Sequence, residues 1–281
     1  MRIAIFFGNV IAASRESGLG IGQLLDIFRR RGAEGLEICV GEYLEYGEEL
    51  ESALRNGYEI TSVYNEYSFS NGSLDPDEVI RHIHTAVRLR CPRALMIPGF
   101  YTDPGNRELH EREKENFLTC IGTAAKMCRD AGIAPLLENY DHWRSPVCRF
   151  SDVLWFAENI PELAVTLDVG NLLYAGEKVP DAVSCIAERE RRLGRGLLEN
   201  VHCKDRTDAE NGYGRTDTMD GRIVYPAVLG EGLVDYRWLT GKLKERGYGG
   251  FLVVENFAIS NYVDFMQRSI DNISLMIGQK R

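Results

Sequence analysis

Residues 163–171 read Leu-Ala-Val-Thr-Leu-Asp-Val-Gly-Asn and combine a buried-strand pattern with a carboxylate at its end. The first five residues are mostly apolar and partly β-branched, which is typical of a strand buried on both faces of a parallel sheet. Asp168 interrupts this run, and a buried carboxylate is costly unless a cation or several hydrogen-bond donors hold it. Taken alone, Asp168 is best interpreted as a cap of the turn that follows at Gly170 and Asn171.

Three further apolar runs end in polar side chains of the kind that bind metals. Residues 134–139, 197–204 and 251–256 supply Glu138, His202 and Glu255. Glu138 precedes Asp168 by 30 residues and Asp168 precedes His202 by 34, which is one strand-helix unit in each case. Three carboxylates and one imidazole therefore lie at four predicted strand ends.

Short apolar runs alternate with helical patterns along the whole chain, and each run is followed by a helix-like stretch. The predicted strands are residues 2–7, 35–40, 59–64, 94–98, 134–138, 163–168, 197–203 and 251–255. Eight such units favour a parallel barrel over an open sheet. No Pro/Gly-rich linker divides the chain, so we predict the α/β class with a single (β/α)8 TIM barrel domain over residues 1–281.

The amino-acid composition limits which partners the protein is expected to bind and in which cellular compartment it is expected to lie. A hydrophobic fraction of 44% and a charged fraction of 27% are ordinary for a globular protein. The formal charge of −9 argues against nucleic-acid binding. Seven scattered cysteines without a CxxC pair fit a reducing cytoplasm. Nothing approaches the ~20 apolar residues of a membrane span, and residues 1–9 resemble a first strand more than a signal peptide, so we expect a cytoplasmic protein.

Two local features outside the strand ends carry further expectations. Asp75 precedes a proline and two acidic residues, which predicts a helix start, and His82 and His84 on that helix are expected to be exposed. The stretch 205–233 is expected to be a long irregular loop at the carboxyl end of the seventh strand. A loop of this length in a compact domain usually has a functional role.

The predicted strand ends favour a divalent-metal site. Adjacent strands lie ~4.8 Å apart, so side chains from their carboxyl ends can meet at one ion. Three carboxylates and an imidazole suit such an ion, and we expect Mn²⁺ ahead of Mg²⁺, Co²⁺ or Zn²⁺. The predicted ligands are Glu138, Asp168, His202 and Glu255.

The same residues resemble the motifs of a known superfamily. The segments 138–139, 167–171 and 201–205, together with 229–236 and 248–255, are similar to those of the xylose isomerase-like TIM barrels. That superfamily includes ketose 3-epimerases, hydroxypyruvate isomerases, inosose dehydratases and metal-dependent apurinic endonucleases. The resemblance extends over nearly the whole chain, is specific for the superfamily and does not select a substrate.

The resemblance implies that Glu138 and Glu255 act as acid and base as well as ligands, while Asp168 and His202 are ligands only. It implies a metal-dependent isomerase or epimerase that removes the α-proton of a ketose or keto-sugar through a metal-bound enediolate. The expected partner is a small sugar or sugar derivative, phosphorylated or not, and homo-oligomerisation is left open. A lyase or dehydratase acting on an oxo-sugar or keto-inositol would share the first step.

Two further alternatives remain. In many relatives a histidine follows Asp-x-Gly, where this chain has Asn171. Asparagine is a poor ligand for the additional ion of the endonucleases, and the negative net charge also disfavours an apurinic endonuclease. A barrel that binds sugar without catalysis is disfavoured because all four ligand types are retained.

Four residues near the predicted strand ends are candidates for substrate binding. Asn171 could hydrogen-bond a hydroxyl, and Lys204 could hold an anion or a hydroxyl, although a solvated side chain is equally consistent with its position. His142 follows Glu138 closely and is expected either to shape the pocket or to pack within its loop. Arg215 lies in the long stretch 205–233 and is expected to close over the substrate.

Overall fold

A computed structural model describes residues 1–279, and eight of its strands close a parallel barrel. The strands are β1 (Arg2–Phe6), β2 (Ala33–Cys39), β3 (Glu59–Glu66), β4 (Arg93–Ile97), β5 (Ala134–Glu138), β6 (Ala164–Asp168), β7 (Leu198–Cys203), β8 (Asp205–Thr207), β9 (Thr216–Asp217), β10 (Ile223–Ala227) and β11 (Phe251–Val254). The barrel order is β1-β11-β7-β6-β5-β4-β3-β2, and β1 closes it by pairing with both β11 and β2. The predicted (β/α)8 fold is confirmed.

Helices follow the barrel strands and cover the outside of the barrel. They are α1 (Phe7–Ser17), α2 (Ile21–Arg29), α3 (Val40–Arg55), α4 (Pro76–Arg88), α5 (Arg107–Asp130), α6 (Phe150–Asn159), α7 (Val169–Tyr174), α8 (Val179–Leu193), α9 (Tyr236–Glu245) and α10 (Tyr262–Ile277). The predicted start of α4 is confirmed, because the Asp75 side chain accepts a hydrogen bond from the Asp77 amide. Within residues 1–279, no helix combines the length and the hydropathy that crossing a bilayer would require.

The strands direct alternate side chains outward to the helices and inward to the barrel axis. Ile3 and Ile5 of β1 belong to the large core shared with the helices, whereas Ala4 packs with Val253 of β11 in a small separate cluster. Glu138 has the same parity along β5 as Leu136, a member of another small cluster. The polar residues that end the strands therefore continue the inward-facing rows of the barrel.

The expectation of an irregular stretch over 205–233 is wrong in part. Strands β8, β10 and β9 form a three-stranded antiparallel sheet there, in which Ala227 pairs with Asp205. The Asp205 carboxylate accepts hydrogen bonds from the amides of Gly230, Gly232 and Val234 at 2.9–3.1 Å. A Cβ at Gly232 would lie 2.4 Å from Oδ1 of Asp205, so this close approach requires glycine. β8 and β9 are polar and only three and two residues long, and β10 contains Pro226, so the sequence shows no clear strand alternation here.

The expectation that His82 is exposed is also wrong. His82 is fully buried against β3, where its Nε2 lies 2.9 Å from the Val63 carbonyl and its Nδ1 lies 2.8 Å from the Tyr67 hydroxyl. Both ring nitrogens therefore have partners inside the protein. His84 is exposed, as expected. The helical pattern alone did not separate these two positions, because both residues are polar.

Candidate metal centre

The four predicted ligands lie at the carboxyl ends of neighbouring barrel strands. Glu138, Asp168 and His202 belong to β5, β6 and β7, and Glu255 directly follows β11. Asp168 lies opposite His202 in the pairing of β6 with β7. Since β11, β7, β6 and β5 are consecutive in the barrel, these side chains enter one side of its mouth.

The imidazole of His202 contacts all three carboxylates. Its Nδ1 atom is 2.8 Å from Oε2 of Glu138, 3.0 Å from Oε2 of Glu255 and 4.0 Å from Oδ2 of Asp168. All four side chains are buried. The structure therefore brings together the four residues that the strand ends singled out.

A further residue, Glu37, was missed by sequence reasoning. Its fully buried carboxylate lies 2.9 Å from Nε2 of His202, and its second oxygen accepts a hydrogen bond from the Asn200 amide at 2.9 Å. In the neutral imidazole, the Nε2–H group donates a hydrogen bond to Glu37, and the lone pair of Nδ1 is then directed at the other carboxylates. The one signal in the sequence is an acidic residue inside the apolar run of β2.

The arrangement fits a cation on chemical grounds. Oε2 of Glu138, Oδ2 of Asp168 and Nδ1 of His202 are shielded from solvent and make no hydrogen bond of good geometry. Each of these three residues offers a ligand atom within 4.8 Å of the others. Lone pairs that face one another in a buried site need a positive charge between them. Imidazole and carboxylate groups are ligands of divalent transition metals, so the residues present fit such an ion.

Comparisons with known proteins identify the family of the chain. The sequence matches the profile of the xylose isomerase-like TIM barrel over residues 25–273. The chain belongs to this family. An uncharacterised protein of Methanocaldococcus jannaschii is 24% identical over 204 residues, which is 70% of this chain and 63% of that protein. The chain thus spans less than two thirds of that relative's length.

Several solved structures have the same fold. The IolI protein with a bound zinc atom superposes with a TM-score of 0.74 at 15% identity, over 99% of each chain. The probable 3-DHS dehydratase AsbF of Bacillus anthracis superposes with a TM-score of 0.70 at 17% identity, over 98% of this chain and 99% of that chain. D-psicose 3-epimerase of Clostridium cellulolyticum, solved with D-tagatose, superposes with a TM-score of 0.69 at 15% identity over 99% of each chain.

The side chain of Asn171 forms hydrogen bonds within the protein. Its Nδ2 donates to the Asn139 carbonyl at 2.8 Å, and its Oδ1 accepts from Nζ of Lys204 at 3.1 Å. Asn139 in turn holds both the amide and the carbonyl of Asp168, at 3.0 and 2.8 Å. This amide network fixes the end of β6 relative to the end of β5.

Of the other candidates for substrate binding, Lys204 is part of the centre. Its buried Nζ lies 3.2 Å from Oδ2 of Asp168 and 2.9 Å from Oε1 of Glu255. A Cβ at Gly170 would lie 2.5 Å from Cβ of Lys204, so glycine at this position lets α7 pass close to the segment after β7.

The remaining two candidates contact no ligand of the centre. The His142 ring lies 4.4 Å from that of Phe100, and its Nδ1 accepts a hydrogen bond from the Arg144 amide at 3.2 Å. Arg215 is exposed and pairs with Asp217 at 2.5 Å. A separate groove of about 690 Å³ lies at the opposite end of the barrel, next to the start of β3, and we assign no chemistry to it.

The two glutamates have pKa values shifted in opposite directions. Burial raises the pKa of Glu138 to about 7, and the neighbouring His202 opposes this shift only in part. Burial also acts to raise the pKa of Glu255, but Lys204 and His202 outweigh it and lower that pKa to about 2. For His202, burial lowers the pKa, and the carboxylates of Glu37 and Glu138 overcome it and raise the pKa well above its usual range. The two glutamates differ because Nζ of Lys204 lies 2.9 Å from Glu255 and lowers its pKa.

Proposed function

We propose that this protein is a divalent-metal-dependent isomerase or epimerase of a ketose or related keto-sugar. The observation that carries the proposal is the convergence of the buried carboxylates of Glu138, Asp168 and Glu255 on Nδ1 of His202. Membership of the xylose isomerase-like family supports it. The similarity in fold to D-psicose 3-epimerase is consistent with a sugar substrate.

The proposed ion is Mn²⁺, held by Glu138, Asp168, His202 and Glu255. Zinc is the alternative with independent support, because the structurally similar IolI protein binds a zinc atom. A divalent ion at this position would polarise a substrate carbonyl and its neighbouring hydroxyl, and so acidify the proton on the carbon between them. Glu37 would keep the His202 ring in the orientation that ligation needs.

Glu138 and Glu255 are the proposed acid and base. They retain 7% and 6% of their surface, whereas Asp168 and His202 retain 0% and 1%. A substrate in the barrel mouth can therefore reach the two glutamates but not the other pair. β7 and β6 separate their strands, so the two carboxylates approach from different sides of the centre. One would take the α-proton and the other would return a proton.

The second candidate is a dehydratase acting on an oxo-sugar or keto-inositol. The observation in its favour is the similarity in fold to a probable 3-DHS dehydratase. The same first proton abstraction would be followed by loss of a β-substituent instead of reprotonation. An endonuclease has less support, because Asn171 uses its side chain within the protein and cannot readily ligate a further ion.

Proton NMR in D₂O tests the proposal and separates the two candidates. The Mn²⁺-loaded protein is incubated with ketoses, ketose phosphates and keto-inositols, with and without a chelator. We expect a chelator-sensitive loss of one α-proton signal and the appearance of an isomer or epimer. A dehydrated product would instead establish the lyase, and binding of a sugar without exchange on any compound would identify a non-catalytic barrel.

A further inference from the structure

We propose that the site takes an uncharged polyhydroxy ketone and rejects its phosphate ester, and that Asp141 is the residue that determines this choice. The inference rests on the proposed function and specifies its substrate class. Asp141 lies in the loop that follows β5, and no role was assigned to it from the sequence. Its carboxylate meets the two cations that would otherwise be available to an anionic substrate.

Both of these cations are already neutralised. Nζ of Lys204 lies 2.9 Å from Glu255, 3.2 Å from Asp168 and 4.0 Å from Asp141. The guanidinium of Arg206 lies 3.2 Å from Asp141 and donates a further hydrogen bond to Thr216 at 3.1 Å. A phosphate group would compete with carboxylates that already lie close to both cations.

Asp141 is the outermost member of this group. Its side chain is 27% exposed, whereas those of Lys204 and Arg206 are 5% and 9% exposed. A ligand that enters from solvent therefore meets a negative charge before it reaches a positive one. Like charges at close range disfavour binding, and the effect strengthens as water is excluded from the site.

The net charge of the whole centre also disfavours an anionic substrate. Five carboxylates, those of Glu37, Glu138, Asp141, Asp168 and Glu255, face two cations, Lys204 and Arg206. A divalent ion adds two positive charges and leaves one negative charge in excess when His202 is neutral. The net charge of the chain, −9, adds to the repulsion of an anion.

Other cations near the carboxyl ends of the strands are also committed to protein partners. The Arg144 guanidinium donates to the carbonyls of Tyr101 and Thr102 at 2.6 and 2.9 Å. Arg215 and Arg222 in the segment around β9 pair with nearby aspartates. These contacts make Arg144, Arg215 and Arg222 less available to an anionic substrate.

The exposed surface around the mouth is aromatic. Phe100, Trp143 and Phe257 follow β4, β5 and β11 and are each exposed by more than a third. Phe257 packs edge-on against Phe6, whose ring lies 6.2 Å from that of His202. Apolar walls with a few directed polar groups suit an uncharged polyol, which offers C–H faces as well as hydroxyls.

Calorimetry with the Mn²⁺-loaded protein tests the inference. The ligands are sulfate, a dianion that leaves Mn²⁺ in solution, and the pair D-fructose and D-fructose 6-phosphate. We expect the wild type to bind sulfate and the phosphate ester at least tenfold more weakly than Asp141→Asn does. Asp130→Asn, which removes the partner of Lys126 on exposed α5, is the matched control for net charge and should behave as the wild type.

Two results would overturn the inference: sulfate binding by the wild type as tight as by Asp141→Asn, or a wild-type preference for the phosphate ester. Because sulfate binding needs no turnover, these results are independent of the proposed reaction. Failure of the proposed function would appear instead as the lack of α-proton exchange on every ketose, whatever the sulfate affinities are.

Discussion

Glu255 is the residue whose replacement tests the proposed base most directly. Glu255→Gln keeps the size of the side chain and one possible oxygen ligand but removes the base. We expect α-proton exchange to fall by about 10²–10⁴, the usual contribution of a positioned acid or base. Exchange is measured by proton NMR in D₂O, and circular dichroism checks that the fold is retained. Near-normal exchange would remove Glu255 from the mechanism.

Glu37 is expected to act on the metal through His202. Replacing a carboxylate that orients a ligating histidine typically lowers metal affinity by about 10–100-fold. The loss of affinity should lie at the upper end of this range for Glu37→Ala and near the lower end for Glu37→Gln, because the glutamine oxygen can still accept a hydrogen bond from Nε2 of His202. Mn²⁺ titration calorimetry measures both. Glu59→Gln, at the exposed start of β3, is the control, and unchanged affinity in Glu37→Ala would contradict the role.

His82 makes stability depend on pH. Burial lowers its pKa from 6.5 to about 4, so the native state binds fewer protons than the unfolded state between these values. Keeping His82 neutral therefore contributes about 3 kcal/mol to the free energy of unfolding above pH 6.5. This contribution is lost as the pH falls to about 4. Urea unfolding at pH 7 and 5 should show a smaller pH effect in His82→Gln than in the wild type. His84→Gln, on the exposed side of α4, should match the wild type, and an equal change in both variants would refute the assignment.

Residues that act across the barrel were the hardest to predict from the sequence. Asp168 and His202 could be found because each ends an apolar run, and Glu138 and Glu255 could be found in the same way. Glu37 lies 165 residues before His202, and their contact exists only because the barrel closes. The bonds of Asn171 could not be predicted either, because a polar side chain at a strand end is as suited to a ligand as to a neighbouring carbonyl.

At the scale of elements, the Asp205 carboxylate holds the segment between β8 and α9. It accepts bonds from the amides of Gly230, Gly232 and Val234, so Asp205→Asn would turn a donor group toward these donors. We expect a loss of about 2–4 kcal/mol in the free energy of unfolding, the cost of two or more unsatisfied buried groups. Denaturant unfolding measures it, with exposed Asp208→Asn as control. A loss no larger than that of the control would show that the segment is held by other contacts.

The barrel elements could be predicted because each has a strong local signal. Every predicted strand overlaps an observed one, and the Asp75 cap marks the start of α4. The small sheet β8-β10-β9 has no such signal, since it depends on contacts such as that of Gly214 with the Ala258 carbonyl, which come from a distant loop. Local sequence patterns therefore predict the strands and helices of the barrel. The conformation of the segments that follow the strands is determined by tertiary contacts.

At the scale of the whole molecule, the barrel collects the carboxylates of the proposed metal centre at the carboxyl end of its sheet. Strands β5, β6 and β11 carry no other charged residue before Glu138, Asp168 and Glu255, so the cost of burying these three carboxylates falls at a single place. A bound cation would repay this cost because it favours the native state over the unfolded chain, in which the four ligands are far apart. Metal binding and folding are therefore expected to be linked.

Removal of the metal tests this link together with the proposed chemistry. Treatment with a chelator should abolish α-proton exchange and lower the free energy of unfolding, and Mn²⁺ at 100 times its dissociation constant should restore about 2.7 kcal/mol. Thermal unfolding at several Mn²⁺ concentrations measures the effect. Asp168→Asn, which weakens a fully buried ligand, should show a smaller dependence on Mn²⁺ than the wild type. If the unfolding temperature were independent of Mn²⁺, the four strand-end residues would be held by protons and by Lys204, and the proposed metal centre would be wrong.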